Sequence, residues 1–431
     1  MKQSPISALS DEAYTEALTV VEIQDCLFNL TKESYIKSLD VIMESVYITT
    51  EERVLELSHH IIESVKYRVK SVATYADLLQ FLQFKSPENP PLEKIAKFII
   101  DEIFTEITSE RVGRCAMQLI QFLSKCFIRQ VYTNSEIMDF IRRNLQSKDA
   151  RQIAILHLFS HFCYLIEELD EPLYNQYLNI IRQISPKDEN SPVQLFLSEL
   201  DGWRENNWFA LQTLLSHDYN GITLEGAIIS DDDTSLTDCL HQKTFSVNGL
   251  MQTNLFTPSN MLETNPTIIQ YSAYFGSLKC FKLLLANGAD LTVETYENCS
   301  TIKFAAAGGN MGIIKILDDK KFNFRGASHY AAIYHQYDLL VWAIENKDKR
   351  HYTNCTGLGT PFECCATSNF IKGILYFMQN AIDINICWSG ANPLFYACVF
   401  GQLDAVKLLL SHKDIQPDIK DSQGILLIIF I

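Results

Sequence analysis

Thr267-Ile-Ile-Gln-Tyr-Ser-Ala-Tyr-Phe-Gly276, followed by Ser277 to Leu285 and Asn287-Gly-Ala-Asp290, is the stretch on which the fold turns. A threonine opens it, where a hydroxyl can take a free backbone N–H at a helix start. Small and apolar side chains follow, then a glycine that permits a tight link into a second helix, then a run ending in paired leucines. Gly288 closes that helix with the positive φ that helix ends commonly take. The same phrase returns as Ser300-Thr-Ile-Lys-Phe-Ala-Ala-Ala-Gly-Gly309 with Ile313-Ile-Lys-Ile-Leu317, and Gly276 and Gly309 stand 33 residues apart. Such a period marks repeated helix hairpins. No one copy buries its own apolar face, so several must stack.

Further copies lie on both sides. Thr360-Pro-Phe-Glu-Cys-Cys-Ala366 puts Asn369 where glycine is expected, and Asn392-Pro-Leu-Phe-Tyr-Ala-Cys-Val-Phe-Gly401 follows 32 residues on, leading into Ala405-Val-Lys-Leu-Leu-Leu410. Between them sits a shorter, degraded copy around Gly326-Ala-Ser-His-Tyr-Ala-Ala332, with His329 at the motif's histidine position. Asn220-Gly-Ile-Thr223 and the helix after it read as a copy ahead of the array. Asp421-Ser-Gln-Gly424 opens one behind it, which breaks off before Ile431 and reads as truncated. About five to six copies are expected over 205–431, with a helical N-terminal domain over 1–204.

This half resembles the ankyrin-repeat family, over about 200 of the 431 residues. The wording Asn265-Pro-Thr-Ile-Ile-Gln-Tyr-Ser-Ala-Tyr-Phe-Gly-Ser277 is similar to a divergent protozoan branch whose members carry a helical region ahead of the repeats. The resemblance implies an all-α fold, an irregular helical N-terminal domain followed by an ankyrin-repeat solenoid. It also implies a non-catalytic scaffold or adaptor that holds a partner protein on the face formed by first helices and turn tips. Carried over by position, the two residues before each motif glycine are Tyr274 and Phe275, Ala307 and Gly308, Val399 and Phe400, with Thr367 and Ser368 ahead of Asn369. The turn tips are Tyr296, Glu297, Trp388 and Ser389. The expected protein-binding set is therefore Tyr274, Phe275, Tyr296, Glu297, Thr367, Trp388, Ser389, Val399 and Phe400. Packing between neighbouring repeats is the competing reading for its aromatic members. The chain departs from the motif at Ile268, which replaces proline, and at Gln270, Lys303, Glu363 and Phe395, which replace histidine. Those changes leave the shape of the concave surface open.

From about Asp11 to Leu200, apolar residues recur at three and four. Val54, Leu57, Ile61, Val65, Val69 and Val72 form one stripe behind a Thr49-Thr-Glu-Glu52 capping box. Polar or proline-bearing breaks at Ser86 to Pro91, Asn144 to Asp149 and Ser185 to Pro192 divide the region into about seven to nine helices. A compact bundle and an irregular solenoid fit this pattern equally.

Composition excludes several classes. The formal net charge is −16, and the densest basic stretches, Lys66 to Lys70 and Lys347 to Arg350, carry three positive charges each. Nucleic acid and anionic membrane are therefore poor partners. No apolar run approaches the roughly 20 residues needed to span a bilayer. Of the twelve cysteines, Cys26, Cys115, Cys126, Cys163, Cys280 and Cys398 lie in apolar helical runs, Cys364 and Cys365 are adjacent, and no CxxC occurs, which implies free thiols and a reducing, cytoplasmic compartment. His157 and His161 sit one helical turn apart with Cys163 near, a spacing that suits a metal, but the general base of HExxH is absent. Buried structural histidine is the favoured reading. Asp231-Asp232-Asp233 reads as a solvated turn, and Cys365 as a small core residue. No catalytic, cofactor or metal site is expected, and the partner is an unidentified protein. The alternative is a substrate-recruiting subunit or cryptic metal-dependent enzyme using the N-terminal helices. A truncated, non-functional product is a third possibility.

Overall fold

The computed structural model describes residues 8–109, 115–147, 151–189, 191–217, 223–242, 245–252, 254–257, 259, 261–295, 299–347, 359–380, 382–387 and 391–417. The fold is all-α. By packing, the chain forms two compact units: Ile23–Gly226 with Leu250–Asn265, and Met1–Glu22 with Ala227–Gly249 and Pro266–Ile431. The sequence boundary at 204/205 divides the chain by pattern. Packing sends a segment from each side across it.

The first unit is built from the end of α1 (Asp11–Phe28) and from α2 (Tyr35–Glu44), α3 (Glu51–Tyr67), α4 (Val72–Lys85), α5 (Ile95–Thr108), α6 (Ala116–Ile128), α7 (Asn134–Gln146), α8 (Gln152–Leu169), α9 (Glu171–Ile184), α10 (Pro192–Glu205) and α11 (Phe209–Ser216). α4 packs on α6, α6 on α8, α8 on α9, and α3 on α5. Their buried stripes merge into one core that includes Leu57, Ile61, Ile120, Leu158, Phe159 and Phe162. Among the described residues, ten helices occupy the region where about seven to nine were expected. The stripe from Val54 to Val72 breaks because Arg68 leaves helical geometry. Its Nε donates to the Phe28 carbonyl at 2.8 Å, and Ser71 Oγ donates to that of Leu30 at 2.6 Å. These distant carbonyls outbid continuation of the helix. The predicted capping box ahead of α3 is half of one: Thr50 accepts from the Arg53 amide, but arginine at the third position cannot answer.

The second unit is a stack of helix hairpins. They are α12 (Leu224–Ile229) with α13 (Asp233–Leu240), α14 (Ile268–Tyr274) with α15 (Leu278–Ala286), and α16 (Thr301–Gly308) with α17 (Met311–Asp319). Then come α18 (Ala327–Ile333) with α19 (Tyr337–Asn346), α20 (Pro361–Thr367) with α21 (Ile371–Gln379), and α22 (Pro393–Val399) with α23 (Leu403–Leu410). Each hairpin turns through a left-handed residue: Asp231, Gly276, Gly309, His335, Asn369 and Gly401, with φ of 55°, 66°, 71°, 53°, 56° and 72°. The copy expected ahead of the array is therefore present as α12 and α13, though residues 218–222 lie outside the described set. So does the expected last copy, at 421–431.

A ladder of side chains ties each hairpin to the one before it. At four of the five junctions the residue opening the second helix donates to a carbonyl at the preceding hairpin's bend: Ser277 to Ile228, Asn310 to Gly276, Gln336 to Ala307 and Gln402 to Thr367; at the fifth, Ser368 donates to Ala332. These bonds satisfy carbonyls that a helix end otherwise leaves open. The opening part of α1 packs on this unit too. Ala13, Ala17 and Val20 face Ile371 and Leu408, and the Lys413 amide donates to the Ala8 carbonyl at 3.2 Å.

Candidate binding surface

The first helices begin with caps that fix their register. Thr267 and Gln270 form a reciprocal capping box, as do Thr360 and Glu363, while Asn392 accepts from the Phe395 amide. At the next level, side chains reach the following hairpin's turn. His329 donates through Nε2 to the Gly359 carbonyl at 3.0 Å. Gln270, at the equivalent position, donates to Val293 at 2.6 Å. An amide thus does the linking that an imidazole does elsewhere in the stack. At the same position Lys303 instead lays its ammonium 5.8 Å from the Tyr330 ring.

Repeats with this period, bend and link match a known pattern: the family profile for ankyrin repeats, in three copies, covers residues 328–421. The hairpins from α18 to α23 match ankyrin repeats. Among solved structures, the human ASB11 ankyrin repeat domain is similar with a TM-score of 0.38 and 15% identity, over 47% of this chain and 88% of that one. A chain from the complex of Bd0816, a predatory endopeptidase from Bdellovibrio bacteriovorus, with immunity protein Bd3460 has a TM-score of 0.34 and 16% identity, over 43% of this chain and 96% of that one. No curated protein matches the chain.

The first helices of the hairpins distribute the sequence-predicted residues unevenly. Tyr274 and Phe275 are buried, 6% and 9% exposed. Phe275 lies 4.8 Å from Tyr271, and Tyr274 meets Tyr334 edge-on at 6.1 Å, two repeats away. That reach is possible because the intervening hairpin presents Ala307 and Gly308: a Cβ on Gly308 would come within 2.2 Å of the Ala273 carbonyl oxygen. Thr367 and Val399 are half-buried, and Phe400 is 39% exposed near the end of the stack. Ala307 is buried, and Ser368 is buried with its hydroxyl on the Ala332 and Cys364 carbonyls. Tyr296, Glu297, Trp388 and Ser389 lie outside the described residues.

The remaining polar groups explain themselves by packing. His157 Nδ1 donates to the Leu255 carbonyl at 3.1 Å, and His161 Nδ1 to that of His157 at 2.9 Å. Burial lowers their pKa values to about 4 and about 3, so both are neutral near pH 7. Cys364 and Cys365 are buried thiols, the sulfur of Cys365 filling the space a side chain on Gly373 would need. Of the aspartate run, Asp232 caps α13, and Asp231 accepts from the Lys279 and Cys280 amides.

Sequence reasoning missed one charged constellation. On α3, His59 and Glu63 are four apart, with Lys66 one turn on; on α5, Glu102 and Glu106 are four apart. His59 Nδ1 meets Glu102 at 2.7 Å, and Lys66 bridges Glu63 and Glu106 at 2.5 and 3.0 Å. Burial works against the charged imidazole of His59, but the Glu102 hydrogen bond and the Glu102 and Glu63 charges raise its pKa to about 9. Burial also opposes the Lys66 charge, and its two carboxylate partners outweigh that. The paired i, i+4 spacing on two neighbouring helices was the available signal. Its charges answer one another, as a clamp between α3 and α5 requires.

Proposed function

We propose that this chain is a non-catalytic scaffold or adaptor whose ankyrin stack binds a partner protein through first helices and turn tips. The observation that carries the reading is the repeat unit itself. Stacked hairpins with buried seams and side-chain links present a preorganised surface, and ankyrin repeats generally act as protein-interaction modules. Phe400 is an accessible aromatic anchor, with Val399 and Thr367 as companions; Trp388, Ser389, Tyr296 and Glu297 are assigned to the binding set by their motif positions alone. Tyr274 and Phe275 serve it from beneath, as packed support. Free thiols among the described cysteines favour a reducing, cytoplasmic setting. Among the described residues, no helix is long and apolar enough to cross a membrane. The wording of the second repeat supports assignment to the divergent protozoan branch.

Affinity capture with the full chain, followed by titration of the captured protein, tests this. Phe400→Ala combined with Trp388→Ala is expected to weaken binding by about tenfold or more, on the order of the loss of an interface anchor, without shifting Tm. Undiminished affinity in that variant would show the face to be wrong.

A further inference from the structure

We propose that an open cleft between the turn before α16 and the turn after α17 is a docking site for an acidic peptide segment of the partner. The inference rests on the scaffold reading and adds the chemistry of what is bound. The cleft holds about 560 Å³. Among the described residues, Lys303, Lys320, Lys321 and Arg325 line it, against the carboxylate of Glu294. Lys320, Lys321 and Arg325 make no ion pair with any described carboxylate, in a chain whose net charge is −16. Leu291 and Phe322 also line it, so apolar as well as charged surface is offered.

Backbone geometry supplies an independent observation. Lys321 has a φ of 57°, two residues beyond the end of α17; the residue two beyond the end of α15 is Gly288, with φ 86°. A lysine here holds a left-handed conformation that glycine takes freely. Strain of this kind persists where a side chain is needed in place. The cations come from two separate segments, α16 and the turn after α17, and spread along an open trough, which suits several carboxylates carried by one extended peptide. A nucleic acid would meet the repulsion of the whole acidic chain.

The test is fluorescence anisotropy of the full chain with a labelled glutamate-rich peptide containing leucine, at low ionic strength. Saturable binding that weakens as salt rises is expected. Lys320→Glu with Lys321→Glu should weaken it by about tenfold or more, and Lys282→Glu with Lys315→Glu, the same charge change elsewhere on the stack, by less than about threefold. Lys321→Gly should weaken binding while raising Tm, a split that a purely structural lysine would not produce. The inference is overturned by an absence of saturable binding, or by equal loss in the two charge-reversed pairs. Displacement by millimolar inorganic phosphate, or equal binding to phosphatidylserine vesicles through the same lysines, overturns it too. If the captured protein binds the Lys320/Lys321 reversal normally yet loses affinity with Phe400→Ala and Trp388→Ala, the cleft fails and the scaffold reading stands.

Discussion

Gly308 and Gly288 are glycine for different backbone reasons, and the difference can be measured. A Cβ at Gly308 would lie 2.2 Å from the Ala273 oxygen and 2.6 Å from that of Tyr274, both main-chain atoms that cannot swing aside. At Gly288 the space is open and only the φ of 86° resists a side chain. Gly308→Ala should therefore cost about 2–3 kcal/mol by forcing two repeats apart, against about 1 kcal/mol for Gly288→Ala. Urea unfolding of the two variants gives the order, and a larger loss at Gly288 would refute it. Asn369 was legible as a glycine substitute because asparagine tolerates φ > 0. The aspartate run was legible as a turn but not Asp231 as its bend, nor His335, although both residue types are enriched at φ > 0. Their side chains compensate in three dimensions: Asp231 accepts from the Lys279 and Cys280 amides, and His335 donates to the Ser368 carbonyl at 2.7 Å.

For the helix hairpins, period and seam carried most of the information. The spacing of Gly276, Gly309, Asn369 and Gly401 placed four bends, and the degraded copy at Gly326–Ala332 does form α18. What periodicity could not show was how repeats lacking the motif histidine stay joined. Gln270 Nε2 reaches the Val293 carbonyl, and Oε1 of the same side chain accepts from the Thr267 amide. Gln270→Ala removes both bonds at a buried site and is expected to cost about 2 kcal/mol. Gln270→His restores the reach that His329 makes to Gly359 and should recover about half of that loss. Chemical denaturation followed by circular dichroism would show it, and a histidine variant no better than alanine would mean the link is unimportant. The break between α3 and α4 was hidden for another reason. It depends on Phe28 and Leu30, some 40 residues away, which no local pattern reports.

At the scale of the whole chain, sequence order and packing part company at residues 250–265. This segment lies between the first and second helix hairpins in sequence, which stretches the interval from Asp231 to Gly276 to 45 residues. Yet it completes the helical unit's core. Leu255 is 5% exposed there, its carbonyl holds His157, and Phe256 lies 5.3 Å from His161. Repeat periodicity could only register the insertion as noise, since its apolar residues answer a surface formed a hundred residues earlier. Leu255→Ala should then destabilise the helical unit by about 2–3 kcal/mol, seen as faster amide exchange across α8 with exchange in α14 and α15 unchanged. Acid should loosen the same place. The neutral histidines have folded pKa values of about 4 and about 3, below the ordinary 6.5. Their contribution is therefore complete above pH 6.5 and drains away as pH falls through those values, because the unfolded chain takes up protons first. Protection in α8 at pH 4 should fall well below that at pH 7, and Leu255→Ala should bring the loss on at higher pH by making the folded state easier to leave. Exchange that rises in α14 and not in α8 would mean that residues 250–265 serve the repeats they interrupt.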